Sequence, residues 1–246
     1  GPPAAAVRRK VPRVSSVPAI RVRPLNDAPI RGDGDHVLYW MTAFRRAGWN
    51  FALQRAAELA KELGKPLLVF EPLRAGYPWA SDRFHRFVLE GMAGNERAFA
   101  AAGVTYFPYV EPVAGDGKGL LAAMSERACA VVADDFPDFF LPRMLAAAAR
   151  QLKVRLEAVD SNGLYPLRAA GRSFATAFAF RGQLQKSLRD HFAFPLARPL
   201  AGLGLPPIVR NFSRRPCARS PGNPGPPGRR RPIPGRRVTL PSPVPR

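Results

Sequence analysis

Five short apolar runs recur along the first two thirds of the chain, and a stretch of different periodicity separates each from the next. The runs are residues 37–41 (VLYWM), 66–70 (PLLVF), 104–110 (VTYFPYV), 130–133 (AVVA) and 154–159 (VRLEAV). The first two have the length and character of strands buried on both faces, and the other three read as further strands. Between the first two, Phe51, Leu53, Ala56, Ala57, Leu59, Ala60 and Leu63 recur at helical spacing, so a helix is predicted over 47–63, stopped by Gly64. Ser81 or Asp82 can cap a second helix running to about residue 102, with Phe84, Phe87, Val88 and Met92 on one side. Residues 120–127 and 141–152 read as two more helices, the latter with Pro142 in its first turn. Strand and helix in alternation specify an α/β domain with a parallel sheet. Five strands within residues 32–160 suit a doubly wound, Rossmann-like five-stranded sheet better than an eight-fold barrel.

The ligand crevice of such a sheet lies beyond the carboxyl ends of its strands. That rule selects residues 40–45, 70–77, 109–112 and 134–137. The candidate ligand-holding residues are Tyr39, Trp40, Met41, Arg45, Phe70, Tyr77, Arg83 and Asp134. Trp40 and Tyr77, at strand ends, could form a stacking wall or pack in the core. For Trp49, on its helix, core packing suffices. Arg45, Arg46, Arg83 and Arg86 could neutralise phosphates, or be a solvated face and local ion pairs. Asp134 and Asp135 could hold a ribose, a polar pigment group or a partner's arginine, or cap the following turn.

No constellation demands catalysis. There is no G-x-G-x-x-G and no P-loop. His36, His85 and His191 are scattered without metal-ligand spacing, so no metal site is expected. His85 reads as a half-exposed helix histidine. The carboxylates Asp134, Asp135, Asp138 and Asp160 show no paired acid/base spacing. Of the two cysteines, Cys129 reads as a buried thiol and Cys217 lies near the carboxyl end, so no disulfide framework is expected. A reducing, cytoplasmic setting and no membrane span follow.

The formal charge of +20 invites a nucleic-acid reading, but its distribution argues against the folded part as the binder. Residues 1–31, an irregular basic lead-in, hold seven Lys/Arg against one Asp, and 210–246 hold ten Arg and no acid. The intervening chain has 21 Lys/Arg against 17 Asp/Glu. Residues 161–200 include a helical stretch at 183–191 and read as a helical linker. Residues 201–246, rich in Arg, Pro and Gly, cannot bury enough apolar surface to offset ordering entropy and are expected to be disordered, with nonspecific nucleic-acid contact open to them.

Several of these stretches resemble a known family. Residues 37–41, Arg45-Arg46, Trp49-Asn50-Phe51-Ala52-Leu53, 66–70, Tyr77-Pro78-Trp79-Ala80-Ser81-Asp82-Arg83 and Phe87-Val88-Leu89-Glu90-Gly91-Met92 are similar to the amino-terminal domain of class II deoxyribodipyrimidine photolyases. Gly103-Val104-Thr105-Tyr106-Phe107, Val131-Val132-Ala133-Asp134 and Val159-Asp160-Ser161-Asn162-Gly163-Leu164-Tyr165-Pro166 extend the likeness, which covers roughly 20–195. The resemblance implies a photolyase/cryptochrome antenna domain over 32–160. It implies an antenna chromophore of deazaflavin or folate type, and light-driven splitting of cyclobutane pyrimidine dimers in DNA by reduced FAD. The family's helical FAD domain is expected near residue 200, where this sequence turns to Arg, Pro and Gly. The flavin cradle, the dimer pocket and the tryptophan wire would lie in that absent part, so Trp40, Trp49 and Trp79 do not carry over as the wire. The chain is therefore expected not to bind FAD and to be inactive alone, with no catalytic residue of its own. Its final segment is expected to be an out-of-frame or misjoined end, and the opening Gly1 to follow a missing start. The alternative is a stand-alone pigment- or nucleotide-binding module without catalysis.

Overall fold

The structure is a computed structural model that describes residues 15–208. The first 14 residues of the lead-in, and residues 209–246 of the 201–246 segment expected to be disordered, lie outside the described residues. The first eight residues of that segment, 201–208, are by contrast described and place Leu203 and Leu205 against the core.

The sheet is built from β1 (Val22–Pro24), β2 (His36–Trp40), β3 (Leu67–Leu73), β4 (Thr105–Val110), β5 (Ala128–Asp134) and β6 (Leu156–Val159). Its spatial order is β1-β6-β5-β2-β3-β4. The five predicted strands are all present and run parallel to one another. The sixth, β1, falls in the stretch expected to be an irregular lead-in. It pairs antiparallel with β6, so the sheet is mixed rather than purely parallel. Its three residues are too few to show alternation. Pro24, which lacks an amide donor, is tolerated because the strand sits at an edge. The chain runs outward from β2 through β3 to β4, then returns to place β5 on the other side of β2. The topological switch point therefore lies between β2 and β5.

Helices α1 (Phe51–Leu63) and α2 (Asp82–Ala101) cover one face; α3 (Leu120–Ser125) and α4 (Leu141–Gln151) cover the other. Strand side chains alternate between these two cores. Val37, Tyr39, Met41, Leu67 and Val69 face α1, whereas Leu38, Trp40, Leu68 and Phe70 face α3 and α4. Asn50 caps α1 by accepting the Leu53 N–H at 3.0 Å, and Gly64 closes it with φ 62°. Ser81 caps α2 through the Phe84 N–H.

Two helical expectations change. Helix α1 begins at Phe51, leaving Trp49 in the preceding loop at φ 53°, 57% exposed rather than packed. Helix α2 buries Met92, Asn95 and Phe99, while Phe84 and Phe87 are 55% and 77% exposed. Phe84 and Phe87 follow a helical period, but no element among the described residues covers them. Cys129 is buried, as expected. No helix among the described residues is long and apolar enough to cross a membrane.

Arg21 fastens the amino-terminal segment. It is buried, lies 3.8 Å from Asp160 across an ion pair, and donates to the Gly163 and Leu164 carbonyls. Beyond β6 comes α5 (Ala177–Ser187), continued by a 3-10 turn over Leu188–His191. The chain then returns to α1. The Trp49 N–H donates to the Leu196 carbonyl at 3.1 Å, and Leu200, Leu203 and Leu205 pack against the α1 core. Gly48 permits this approach, since a Cβ there would sit 2.1 Å from the Ala197 carbonyl oxygen.

Candidate functional site

The carboxyl ends of the strands hold two different arrangements. At the switch point, Asp134 closes β5 and is fully buried. One carboxylate oxygen accepts the Tyr39 hydroxyl at 2.7 Å. The other accepts the backbone N–H groups of Thr42, Ala43 and Phe44 at 2.8, 2.7 and 3.0 Å. Asn50 donates to the Tyr39 hydroxyl at 2.9 Å. Burial pushes the Asp134 carboxyl above its usual range, and these four donors oppose the shift. Burial likewise raises the Tyr39 hydroxyl well above its ordinary value, with the Asp134 charge adding to it. Asp134 therefore caps the loop leaving β2, not the turn after β5. Asp135 turns to the linker instead, pairing with Arg168 at 2.6 Å and Arg23 at 3.4 Å.

A second polar cluster closes the α2 side of β3. Glu71, fully buried, accepts from Asn95 at 2.9 Å, Tyr106 at 2.7 Å and Arg45 at 3.1 Å. Arg45 also donates to the Pro72 carbonyl at 2.7 Å. Its guanidinium is thus committed within the protein. The Tyr106 hydroxyl is pushed up by burial and by its bond to Glu71.

On the other face, the carboxyl ends of β2, β3 and β4 border a cavity of about 310 Å³. Trp40, Phe70 and Tyr109 supply aromatic walls, Leu121 and Met144 close it from α3 and α4, and Arg74 and Lys118 stand at its border. Trp40 and Phe70 are register partners across β2 and β3, which is why they meet there. Phe70 also stacks on Phe107 at 5.9 Å. The Trp40 Nε1–H is buried without a hydrogen-bond partner.

Glu111 shapes this cavity. One of its oxygens accepts the Gly115 and Gly117 N–H groups at 2.9 and 3.2 Å, and the other accepts the Ala75 N–H at 2.9 Å. One carboxylate thereby joins the loops after β3 and β4. Burial works to raise its pKa, but the three amides and nearby Arg74 outweigh it and hold Glu111 below the usual glutamate range. A Cβ at Gly117 would sit 3.0 Å from the Tyr109 ring, so any larger residue there would require the ring or the loop to shift by a few tenths of an ångström.

The candidate residues thus divide. Trp40 and Phe70 line the cavity. Tyr39, Met41 and Asp134 lie in the opposite core, because they have the other parity along their strands. Arg45 is paired with Glu71. Tyr77 joins an aromatic cluster with His85, Phe139 and Phe140 at centroid distances of 5.6, 6.4 and 6.3 Å, and Arg74 lies over Phe140 at 5.7 Å. Arg83 is exposed on α2. Sequence reasoning selected the segments 70–77 and 109–112 but not Arg74, Tyr109 or Glu111 within them. A carboxylate before a Gly-rich loop (Gly115, Gly117, Gly119) was the available signal. No group of His, Cys, Asp and Glu among the described residues could hold a metal ion.

The chain is similar to the deoxyribodipyrimidine photo-lyase of Methanothermobacter thermautotrophicus, with 31% identity over 180 residues. The match takes in 72% of this chain and 39% of the relative, so the chain spans well under half of that protein's length. This supports a relationship to the photolyases. No protein-family model matches the chain.

Proposed function

We propose that this chain is the light-collecting α/β part of a class II-like DNA photolyase, and that its cavity holds an antenna pigment of deazaflavin or folate type. One observation carries the reading: the chain similar to a photolyase has an aromatic-walled cavity at the carboxyl ends of its central strands. Such cavities, of roughly 300 Å³ and upward, suit small ligands. The residues fit a flat fused-ring system. Trp40, Phe70 and Tyr109 offer apolar and stacking surface, and Arg74 and Lys118 offer charge for an anionic substituent. A bound pigment would absorb near-ultraviolet or blue light and pass the excitation on. The protein's part is to exclude water and fix the ring. The cavity suits one fused-ring system rather than a whole dinucleotide, so FAD and the splitting of pyrimidine dimers are assigned to no residue described above.

The test is titration of the purified protein with a deazaflavin and with a reduced folate, read by absorbance and by quenching of tryptophan fluorescence. Saturable binding is expected, weakened at least tenfold by Leu121→Trp, which fills the cavity. No binding of either pigment, or binding indifferent to that substitution, overturns the reading. Binding of a nucleotide alone would favour the stand-alone module that the Rossmann-like strand order also accommodates. The chain by itself is expected to show no light-dependent dimer repair.

A further inference from the structure

Charge divides the chain at Asp160. Residues 32–160 hold 15 Lys/Arg and 16 Asp/Glu, close to neutral. Residues 161–200 hold six Lys/Arg, and Asp190 is their only acid. The basic character of the described chain is therefore concentrated in the segment that contains α5.

Helix α5 has two distinct sides at 100° per residue. Its inner side, Phe180 and Ser187, packs on Tyr165: the rings lie 6.1 Å apart and the two hydroxyls are 3.0 Å apart. Its outer side carries Phe178, Arg181 and Gln185, with Lys186 beside them and Arg189 in the 3-10 turn that continues the helix. These outer residues are all exposed, and Phe178 is 84% so. Arg181, Lys186 and Arg189 take part in no ion pair among the described residues. Phe178, one helical turn before Arg181, leaves its apolar surface in water, which forfeits the gain its burial would bring.

We propose that the outer side of α5 binds single-stranded nucleic acid, with Arg181, Lys186 and Arg189 meeting phosphates and Phe178 stacking on a base. A row of cations with an exposed aromatic at its end supplies the two components of such surfaces. From Arg181 to Arg189 is roughly 12 Å at the rise of a helix. That is the axial length of about three to four nucleotides of a helical strand. A lipid surface is a poor match, because it requires a continuous apolar stripe and this side offers one phenyl ring among polar groups. The surface shares no residue with the cavity. Pigment binding and nucleic-acid binding can thus each fail without the other.

The test is fluorescence anisotropy of a labelled 20-nucleotide oligo-dT on the full 246-residue protein, at several salt concentrations between 50 and 200 mM. Three variants are compared with the parent: Phe178→Ala, the triple Arg181→Ser/Lys186→Ser/Arg189→Ser, and a charge-matched triple Arg229→Ser/Arg230→Ser/Arg231→Ser near the carboxyl end. Phe178→Ala is expected to weaken oligo-dT binding about fivefold or more, as loss of one stacked base implies. It should leave binding of an abasic oligomer of the same length unchanged. The helix triple is expected to lower the salt slope by about two, as three lost contacts to a single strand imply. The carboxyl-terminal triple should lower it less. Equal losses from the two triples, or equal binding of oligo-dT by the Phe178→Ala variant and the parent, would overturn the proposal. So would a helix triple that changes the oligomeric state by light scattering with no change in salt slope, which would make this side a protein contact.

Discussion

Between β2 and β5 the chain uses a buried carboxylate to close its own crevice, whereas at the ends of β3 and β4 another carboxylate joins two loops that border a cavity. The two acids lie at the same end of one sheet and accept similar numbers of backbone amides. Asp134 accepts Thr42, Ala43 and Phe44 from a single loop and adds the Tyr39 hydroxyl, so its donors draw the loop down over the switch point. Glu111 accepts Ala75 from one loop and Gly115 and Gly117 from another, so its donors tie the two loops together at the border of the cavity. Open α/β sheets as a rule take their ligands at the switch point. Here the protein's own chemistry occupies that point, and the space for a ligand is displaced to the neighbouring strands.

Removing the closure should have the largest effect. Asp134→Ala leaves three amides and a buried hydroxyl without their acceptor. At about 1–3 kcal/mol for each buried group left unsatisfied, with some relieved by water, a loss of about 3–5 kcal/mol is expected. For a domain of this size that lowers Tm by roughly 10 °C. Urea unfolding measures it, and a loss below about 1 kcal/mol would mean that the loop leaving β2 does not depend on Asp134.

Glu111→Ala ranks second and should separate stability from binding. The amides it releases stand nearer solvent, so about 1–2 kcal/mol of stability is expected to go. Pigment affinity should fall at least tenfold, because the Gly115 and Gly117 loop is no longer held against Ala75. Paired urea melts and pigment titrations decide the matter. A variant that binds pigment as the parent does would detach Glu111 from the shape of the cavity.

Trp40→Phe should do least to stability. It removes ring area but also an indole N–H that is buried without a partner, and a near volume-conserving aromatic exchange is expected to cost under about 1.5 kcal/mol. Its effect belongs to the ligand: weakened binding, and loss of the quenching signal if Trp40 is the fluorophore beside the pigment. The same exchange at the exposed Trp49 should change neither.

How these regions read from sequence follows from the same contrast. The three central strands were legible because burial on both faces imposes unbroken apolar runs at 37–41, 67–70 and 130–133, and β4 and β6 because they alternate with helical segments. The edge strand β1 was not, because three residues with a proline carry no period. Period two along β2 also separates residues that the strand-end rule lumps together. Tyr39 and Met41 must face away from Trp40, so they cannot share a ligand with it. Asp134 stands out in the sequence as an acid at a strand end, but its partners Thr42, Ala43 and Phe44 lie 90 or more residues away. Backbone amides carry no residue-type signal that could announce them. Phe84 and Phe87 illustrate the converse: a helical apolar period says which residues share a side, and says nothing about whether anything lies opposite.

The smallest effect sharpens the comparison through pH, because the two acids are displaced in opposite directions. Glu111 is held below its usual range, so the native state favours its charged form. Its contribution is complete above the unfolded pKa and is lost as pH falls through the folded one. Asp134 is pushed above its usual range by burial, so the native state favours its protonated form. Its contribution is complete below the unfolded pKa and is lost as pH rises through the folded one. Every tenfold change in a carboxyl group's proton affinity on folding is worth about 1.4 kcal/mol. The stability gap between the parent and Glu111→Gln should therefore narrow on acidification through the glutamate range. The gap between the parent and Asp134→Asn should narrow on the way up, just above the aspartate range. Urea unfolding of the three proteins from about pH 3.5 to about pH 7, a span that brackets ordinary carboxyl titration, reads both gaps in one experiment. Gaps that move in the same direction would mean that Asp134 is held charged by its four donors after all, and that the two carboxylates differ in which loops they join rather than in how their charge is carried.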